Sequence, residues 1–571
     1  MKQNLTKNII KSLYLKQEKK VAGYLDKSRK RLILAATISN HLDNFSMIYK
    51  ERRQVIFVLL LLMSAIGFML SSCHSDSFDE SSDKCIVILF EGDTHNEVDG
   101  YCRFAGLRDA MQDADTSHVV TVSLGDFMVG GALGAISKGS YITDIMRSIG
   151  YDVLTIGNHE FDYGGENMKT LLEQLGVPVT CVNFFDYGAS EPVYAPYIIK
   201  QFGKKRVAFI GALAPETIQL QEYAFFDETG RQLYDLHANE LYQLVQQAVD
   251  MARSKGKADY VVLLSHIGEK EAMGFCSHKL IEATRGIDAV IDSHSHTSIE
   301  GEWVRNADGN AILITQAGDH MRNVGKMIIG KDGIISSSLI PIADIPYRSE
   351  KVADVVEKVK QEAQEIAESV ICTSDYDLIV TDADGTSLVQ REETNGGDLV
   401  TDAFRIEMNA EIGLHSGNSF VKSIAAGKIT YGDIVAMLPY ENNMNVIQVT
   451  GQLLFDMLTK CTQKVPDYDM HFPQVSGLRF TIHTASHTVR GVEVLDKASG
   501  DYKPLDPART YSVAISTYYK GGGFYNLLKD CPVERSSTLM VRDVVISYLN
   551  KTLNASLGET YRNPQGRITI E

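Results

Sequence analysis

Five short segments between Asp93 and His296 carry carboxylate, amide and imidazole side chains, the donors that hold a pair of divalent ions and activate water. They read Gly92-Asp93-Thr94-His95-Asn96, Leu124-Gly125-Asp126, Gly157-Asn158-His159-Glu160-Phe161-Asp162, Ser265-His266-Ile267-Gly268 and His294-Ser295-His296. Each follows an apolar run, and ligand crevices open at the carboxyl ends of strands in α/β sheets. Asp93 and His95 stand two apart, so in extended chain both would point to one ion. Asp126 follows a glycine that allows close backbone approach, and its carboxylate can bridge two ions. Asn158 offers a neutral oxygen; it equally suits a helix start, which it would cap while Glu160 and Asp162 favour the dipole. Asp162, three residues beyond His159, can orient that imidazole. Singly, each piece reads as a turn, a cap or a satisfied polar residue. The ordered set, with His266, His294 and His296, reverses that reading.

The elements that must place these residues alternate between strand and helix. Buried strands are expected at Cys85–Glu91, Val119–Leu124, Val153–Ile156, Val179–Val182, Val207–Ile210, Tyr260–Leu264, Ala289–Ser293 and Ala311–Gln316. Helices are expected at Tyr101–Asp113 and Ala238–Arg253. This predicts a layered α/β sandwich over residues 84–346. Glu350–Val370 carries a Val/Ala/Ile stripe among charges, without Gly or Pro, and reads as one amphipathic connector helix. A second α/β domain is expected over 372–571, with a helix near Asp398–Met408 and strands around Val446–Thr450, Leu478–Thr484 and Tyr511–Ile515.

The 571 residues allow two or more domains, and 44% hydrophobic with 23% charged residues is ordinary for a globular protein. A net charge of -17 argues against a nucleic-acid polymer as partner, since backbone binding needs a basic surface. A small phosphate ester needs only local positive charge. Ahead of the first domain, Arg52-Arg53 precede an apolar run from Val55 to Leu70, then Ser71-Ser72-Cys73. Residues 47–73 therefore read as an export signal ending in a bacterial lipobox, with Cys73 lipidated and the protein held at the cell-envelope membrane, periplasmic or on the outer surface. A spanning helix is the alternative, but the run is shorter than the roughly 20 residues such a helix needs. Residues 1–46 read as a mis-assigned upstream extension and 74–83 as an acidic tether. The remaining cysteines lack a CxxC pair and read mostly as small core residues, with room for one bridge.

The order Asp-x-His, Gly-Asp, Gly-Asn-His-Glu, His and His-x-His resembles that of the calcineurin-like metallophosphoesterases. The run Asn158-His159-Glu160-Phe161-Asp162-Tyr163-Gly164 is similar to the secreted 5′-nucleotidase family, which includes bacterial UDP-sugar hydrolases. The resemblance implies a four-layer metallophosphoesterase domain, then a nucleotidase C-terminal domain. It implies one ion on Asp93, His95, Asp126 and His296 and another on Asp126, Asn158, His266 and His294, the metals being Zn, Mn, Fe or Co. His159 and Asp162 would match the catalytic dyad that stabilises the phosphoryl oxygens. Ser293 departs from the family's usual Gly. The resemblance continues through Glu393–Ala403, Gly427–Asp433 and Leu438–Asn442, and it implies that Tyr440 and Tyr518 stack on a base.

The second half also departs from the family. Its Asn-Gly-Gly-Gly-Ile-Arg segment stands here as Ser416-Gly417-Asn418-Ser419-Phe420-Val421, and its Gly-Gly-Asp-Gly as Gly521-Gly522-Gly523-Phe524. Lys422 stands one place from the missing Arg and Arg391 near another expected one, but a Lys is no bidentate clamp. The implied reaction is hydrolysis of nucleoside 5′-monophosphates or related nucleotides by a metal-bound hydroxide. Rival activities are a cyclic-phosphodiesterase or 3′-nucleotidase, a nucleotide-sugar hydrolase and a non-nucleotide phosphoesterase. A surface ligand-binding lipoprotein is the non-enzymatic alternative, against which the full donor set argues.

Overall fold

Side-chain alternation along the strands builds the first half of the molecule. In Cys85–Glu91, Ile86, Ile88 and Phe90 enter a core shared with Val207, Phe209, Val262 and Leu264, whereas Val87 and Leu89 lie under the outer helices. Lys205–Leu213 repeats the pattern, with Ala208 and Ile210 packing against Val245, Ala248 and Val249 of helix Leu241–Ser254. Both faces of each sheet are thus buried, as near-continuous apolar strands require. The computed structural model describes residues 84–571 apart from 228, 229 and 441. The expected signal, Cys73 and acidic tether lie outside the described residues.

The first sheet has five strands in the order Ile335–Pro341, Asn323–Ile329, Cys85–Glu91, Ser117–Ser123 and Val153–Leu154. The second has six, in the order Ser298–Arg305, Ala311–Ala317, Ala289–Asp292, Tyr260–His266, Lys205–Leu213 and Ile198–Phe202. Cys85–Glu91, Ser117–Ser123 and Val153–Leu154 run parallel, as do Lys205–Leu213, Tyr260–His266 and Ala289–Asp292. Helices outside the two facing sheets complete four layers, the expected sandwich.

The expected strand at Val179–Val182 is replaced by a segment with isolated bridges only. Thr180 donates to Leu154 O in one sheet and Val182 to Gly211 O in the other, so the segment crosses between sheets and extends neither ladder. Helix Glu350–Ala367 ends before Val370, which is recruited into strand Val370–Ser374 beside Gly427–Thr430. Its Val352, Ala353, Val356 and Val359 belong to the core of the first half, so this connector is packed structure.

The second half centres on a five-stranded sheet ordered Pro473–Ser476, Ile412–Ser416, Thr510–Ser516, Asn443–Thr450 and Val533–Met540. A four-stranded sheet ends on Ile568–Ile570, parallel to Leu478–His483. The described residues, from Lys84 on, belong to one compact unit. Its halves meet where Val129 and Tyr163 pack on Met540, and where Tyr431 donates its hydroxyl to Ala135 O at 3.4 Å. No helix among the described residues is long and apolar enough to cross a membrane.

Candidate metal centre and catalytic cleft

Parallel strands deliver the donor residues from their carboxyl ends. Asp93 and His95 follow Cys85–Glu91, Asp126 follows Ser117–Ser123, and Asn158 follows Val153–Leu154. His266 closes its own strand, while His294 and His296 follow Ala289–Asp292. The extended-chain reading of Asp93 and His95 is corrected by the backbone: φ is 52° at Asp93 and 48° at His95. Asp126, His294 and His296 are left-handed too, at 57°, 80° and 58°. Three of the five donor-bearing strand ends therefore curl, a conformation uncommon for residues with a Cβ and concentrated at functional sites. Backbone bonds hold the curls together: Asp93 N to Gly125 O at 3.1 Å and His95 N to Asp126 O at 3.0 Å.

The donors gather into two groups that share Asp126, namely Asp93, His95, Asp126 and His296, and Asp126, His266 and His294. Within each group the ligand atoms lie within 4.8 Å of one another. Several observations fit a cation here. His95 Nε2 and His296 Nε2 face each other at 3.0 Å. His266 Nδ1 donates to Leu124 O at 2.6 Å, which leaves its Nε2 lone pair aimed inward, 3.2 Å from Asp126 Oδ2. Asn158 makes no cap bond despite its position before the 3-10 turn His159–Phe161, and its buried Oδ1 lacks a hydrogen-bond partner among the described residues. The field of the cluster points the same way. Against burial, the Asp126 and Asp93 carboxylates lift His266 to about 10, so they favour a positive charge at Nε2, and a cation would take the place of that proton. Burial raises Asp93, whereas His266, His159 and His95 overcome burial to hold Asp126 below the usual carboxylate range.

Glycines and one buried carboxylate make this approach physically workable. A Cβ on Gly157 would lie 2.2 Å from Asp126 Oδ1 and 2.7 Å from His266 Nε2. Glu160 accepts from the backbone N–H groups of Asp126, Phe127 and Gly157 at 2.7, 2.9 and 2.6 Å, tying two ligand loops together. Burial, with Asp126 nearby, pushes Glu160 up to about 7. Ser293, the departure noted in the sequence, donates to Asp93 Oδ2 at 2.6 Å, and the His294 N–H donates to the same oxygen at 2.9 Å.

His159 stands beside the first group, its ring centroid 5.2 Å from that of His95. Its Nδ1 meets Asp162 Oδ2 at 2.9 Å. Burial works against charge on this imidazole, but Asp162 and Asp126 lift it to about 10. Asp162 is anchored from behind by Gln221 Nε2 at 2.5 Å, and the Tyr223 hydroxyl donates to Gln221 Oε1. Sequence reasoning missed Gln221 and Tyr223, which carry no local signal because they reach the dyad from a separate segment, at the junction of the short helices Thr217–Leu220 and Glu222–Phe225. It also missed His320, which pairs with Asp319 at 2.8 Å and lies 5.3 Å from His95 between ring centroids.

Asn158, His159 and Asp162 open into a cleft of about 710 Å³ whose far wall is Asn442, Asn443, Asn445, Thr517 and Tyr518 from the second half. Asn418 Nδ2 donates to the Tyr518 hydroxyl at 2.8 Å. The other sequence-expected substrate residues are not among those lining the cleft. Tyr440 is 52% exposed, Lys422 is exposed, and the Arg391 guanidinium stacks 4.8 Å from the centre of the Tyr468 ring. The second half thus contributes Tyr518, an amide-rich wall and Lys529 to the cleft, while Tyr223 and Phe226 line it from the first half.

Comparison with known proteins matches two families along the chain. Residues 86–298 match the calcineurin-like phosphoesterase family and residues 371–530 the 5′-nucleotidase C-terminal domain. The trifunctional nucleotide phosphoesterase protein YfkN of Bacillus subtilis is 23% identical over 478 residues, covering 77% of this chain but 32% of that longer protein. The 5′-nucleotidase of Bos taurus is 24% identical over 522 residues, 83% of this chain and 85% of its own. The crystal structure of a 5′-nucleotidase precursor from Thermus thermophilus superposes with a TM-score of 0.52 at 22% identity, covering 85% of this chain and 99% of that one. The chain thus carries a calcineurin-like phosphoesterase domain at residues 86–298 followed by a 5′-nucleotidase C-terminal domain at residues 371–530.

Proposed function

We propose that this protein is a two-metal phosphoester hydrolase that removes phosphate from nucleoside 5′-monophosphates. The observation that carries the reading is the pair of donor groups sharing Asp126, flanked by the His159–Asp162 dyad and opening into a cleft walled by Tyr518. Asp93, His95, Asp126 and His296 would hold one ion; Asp126, Asn158, His266 and His294 would hold the other. Divalent ions in these positions supply Lewis-acid neutralisation of the phosphoryl charge and activation of water. The side chains do the remaining work. Asp162 accepts from His159 Nδ1 and so turns Nε2 toward the cleft, where a charged imidazole stabilises phosphoryl oxygens and hands a proton to the leaving oxygen. Glu160 keeps the Asp126 and Gly157 loops in register, and Tyr518 offers its ring face to a base.

The resemblance to a nucleotide phosphoesterase and to a 5′-nucleotidase supports nucleotide substrates. A non-nucleotide phosphomonoester is the second reading, favoured by the absence of Arg391, Lys422 and Tyr440 from the cleft lining. Export as a lipoprotein through Cys73 is part of the proposal and rests on the pattern at residues 47–73; radiolabelled palmitate incorporation lost in Cys73→Ala is its test. For the enzyme, hydrolysis of nucleoside monophosphates, nucleotide sugars, cyclic nucleotides and simple phosphomonoesters is to be measured with added Mn²⁺ or Zn²⁺. Asp126→Ala should abolish metal-dependent turnover of whichever ester is cleaved. Full activity in that variant would overturn the assignment.

A further inference from the structure

We infer that Glu216 is the positioning residue of the group formed by Asp126, His266 and His294, acting through His294 to set how tightly that group holds its ion. The inference rests on the reading of these residues as metal ligands, but no sequence motif of the site contains Glu216. It reaches the site from the loop after strand Lys205–Leu213, and its Oε1 lies 2.9 Å from His294 Nε2. Glu216 is buried, and its other carboxylate oxygen has no hydrogen-bond partner among the described residues.

A carboxylate can only accept, so the shared proton sits on His294 Nε2 and the ring offers Nδ1 to an ion. The same logic operates at His266 with a different partner. There the backbone carbonyl of Leu124 takes the Nδ1 proton and leaves Nε2 as the donor atom. The two imidazoles of the group are therefore presented through opposite nitrogens, each fixed from behind. A backbone carbonyl cannot be altered by substitution, but a glutamate can. At His296 the nearest carboxylate behind the ring, Asp319, is 3.7 Å from Nδ1, so the close support at Glu216 is particular to His294.

The loop that carries Glu216 is itself anchored to the cluster. Ala214 N donates to His266 O at 2.8 Å, and Gln219 N and Leu220 N donate to the Glu216 carbonyl at 2.8 and 2.9 Å. Further along, the same segment supplies Gln221 to Asp162. A carboxylate behind a ligating imidazole fixes its tautomer and orientation and raises its basicity, and its loss typically weakens metal binding about 10–100-fold.

The test is a metal titration of the full chain after chelator treatment, with Mn²⁺ or Zn²⁺ followed by calorimetry or a competing fluorescent chelator. Wild type should show two binding steps. Glu216→Ala should weaken one step by about 10–100-fold and leave the other in place. Glu216→Gln, whose amide oxygen can still accept from Nε2, should fall between the two. Gln221→Ala, from the same segment but on the dyad side, should weaken neither step. The circular dichroism and melting of the metal-free variants separate misfolding from lost binding. Two unchanged steps in Glu216→Ala would overturn the positioning role while leaving the hydrolase reading intact. A wild-type protein that binds no divalent ion would overturn both.

Discussion

Single residues explain both how the metal centre closes and one cost borne elsewhere. At the centre, Gly157 lacks a side chain because Asp126 occupies its place, and Ser293 uses its hydroxyl where a glycine would leave Asp93 one bond short. His415 is the opposite case. It is buried between Phe404 and Phe420, with ring centroids at 4.9 and 5.0 Å, and neither ring nitrogen has a hydrogen-bond partner among the described residues. Burial pushes this imidazole from 6.5 down to about 3, so the fold holds it neutral. Between those values the unfolded chain binds the proton and the folded chain does not. Stability from this group is therefore complete above the unfolded value and is lost as pH falls toward 3, by about 1.4 kcal/mol per unit. His415→Leu should flatten the fall of melting temperature below pH 6.5, with a gain of about 2 °C over wild type at pH 5. Melting curves that shift in parallel with pH for both proteins would refute this account. Nothing in the sequence marks His415 as buried and unpartnered, because its neighbours come from a helix and a separate loop.

Among the elements, the connector helix and the C-terminal strand show how much periodicity reveals. The Val/Ala stripe of Glu350–Ala367 was readable as an amphipathic helix, but its partners were not: it packs into the core of the first half. The strand Ile568–Ile570 is held in its sheet by Arg567, which meets Asp402 Oδ2 at 2.7 Å and Asp398 Oδ1 at 3.3 Å. Burial lifts Asp398 to about 8, so at neutral pH it faces Arg567 as a neutral acid. Burial also works to raise Asp402, but Arg567 prevails and holds it below the usual range, so this carboxylate carries the charge. Removing one partner of a buried ion pair strands the other, at about 3–5 kcal/mol. Arg567→Met should thus lower the melting temperature by about 4 °C, and adding Asp402→Asn should recover at least half of that loss. An unchanged melting temperature in the single variant would show that the tail is held by its strand bonds alone.

Across the whole molecule, both halves build one cleft, and its charge predicts what it accepts. Among the described residues, Lys529 is the one ammonium lining it, against Glu222 and Asp530, and no arginine lines it. A single phosphate can be met by the metal groups and His159, whereas further phosphates would face this acidic rim. The ratio of kcat/KM for a nucleoside 5′-monophosphate over its triphosphate should therefore exceed about tenfold, the factor equivalent to about 1.4 kcal/mol. Equal efficiencies would contradict the charge argument. The type and order of the candidate metal donors stand in the chain itself, because each sits beside an apolar strand whose carboxyl end fixes where it emerges. Tertiary structure decided the rest. The left-handed strand ends, the approach of Glu216 and Gln221, and the amide-rich wall of the cleft all depend on residues far apart in sequence. Recognition is a property of a surface assembled from such segments, and local patterning carries no record of how they meet.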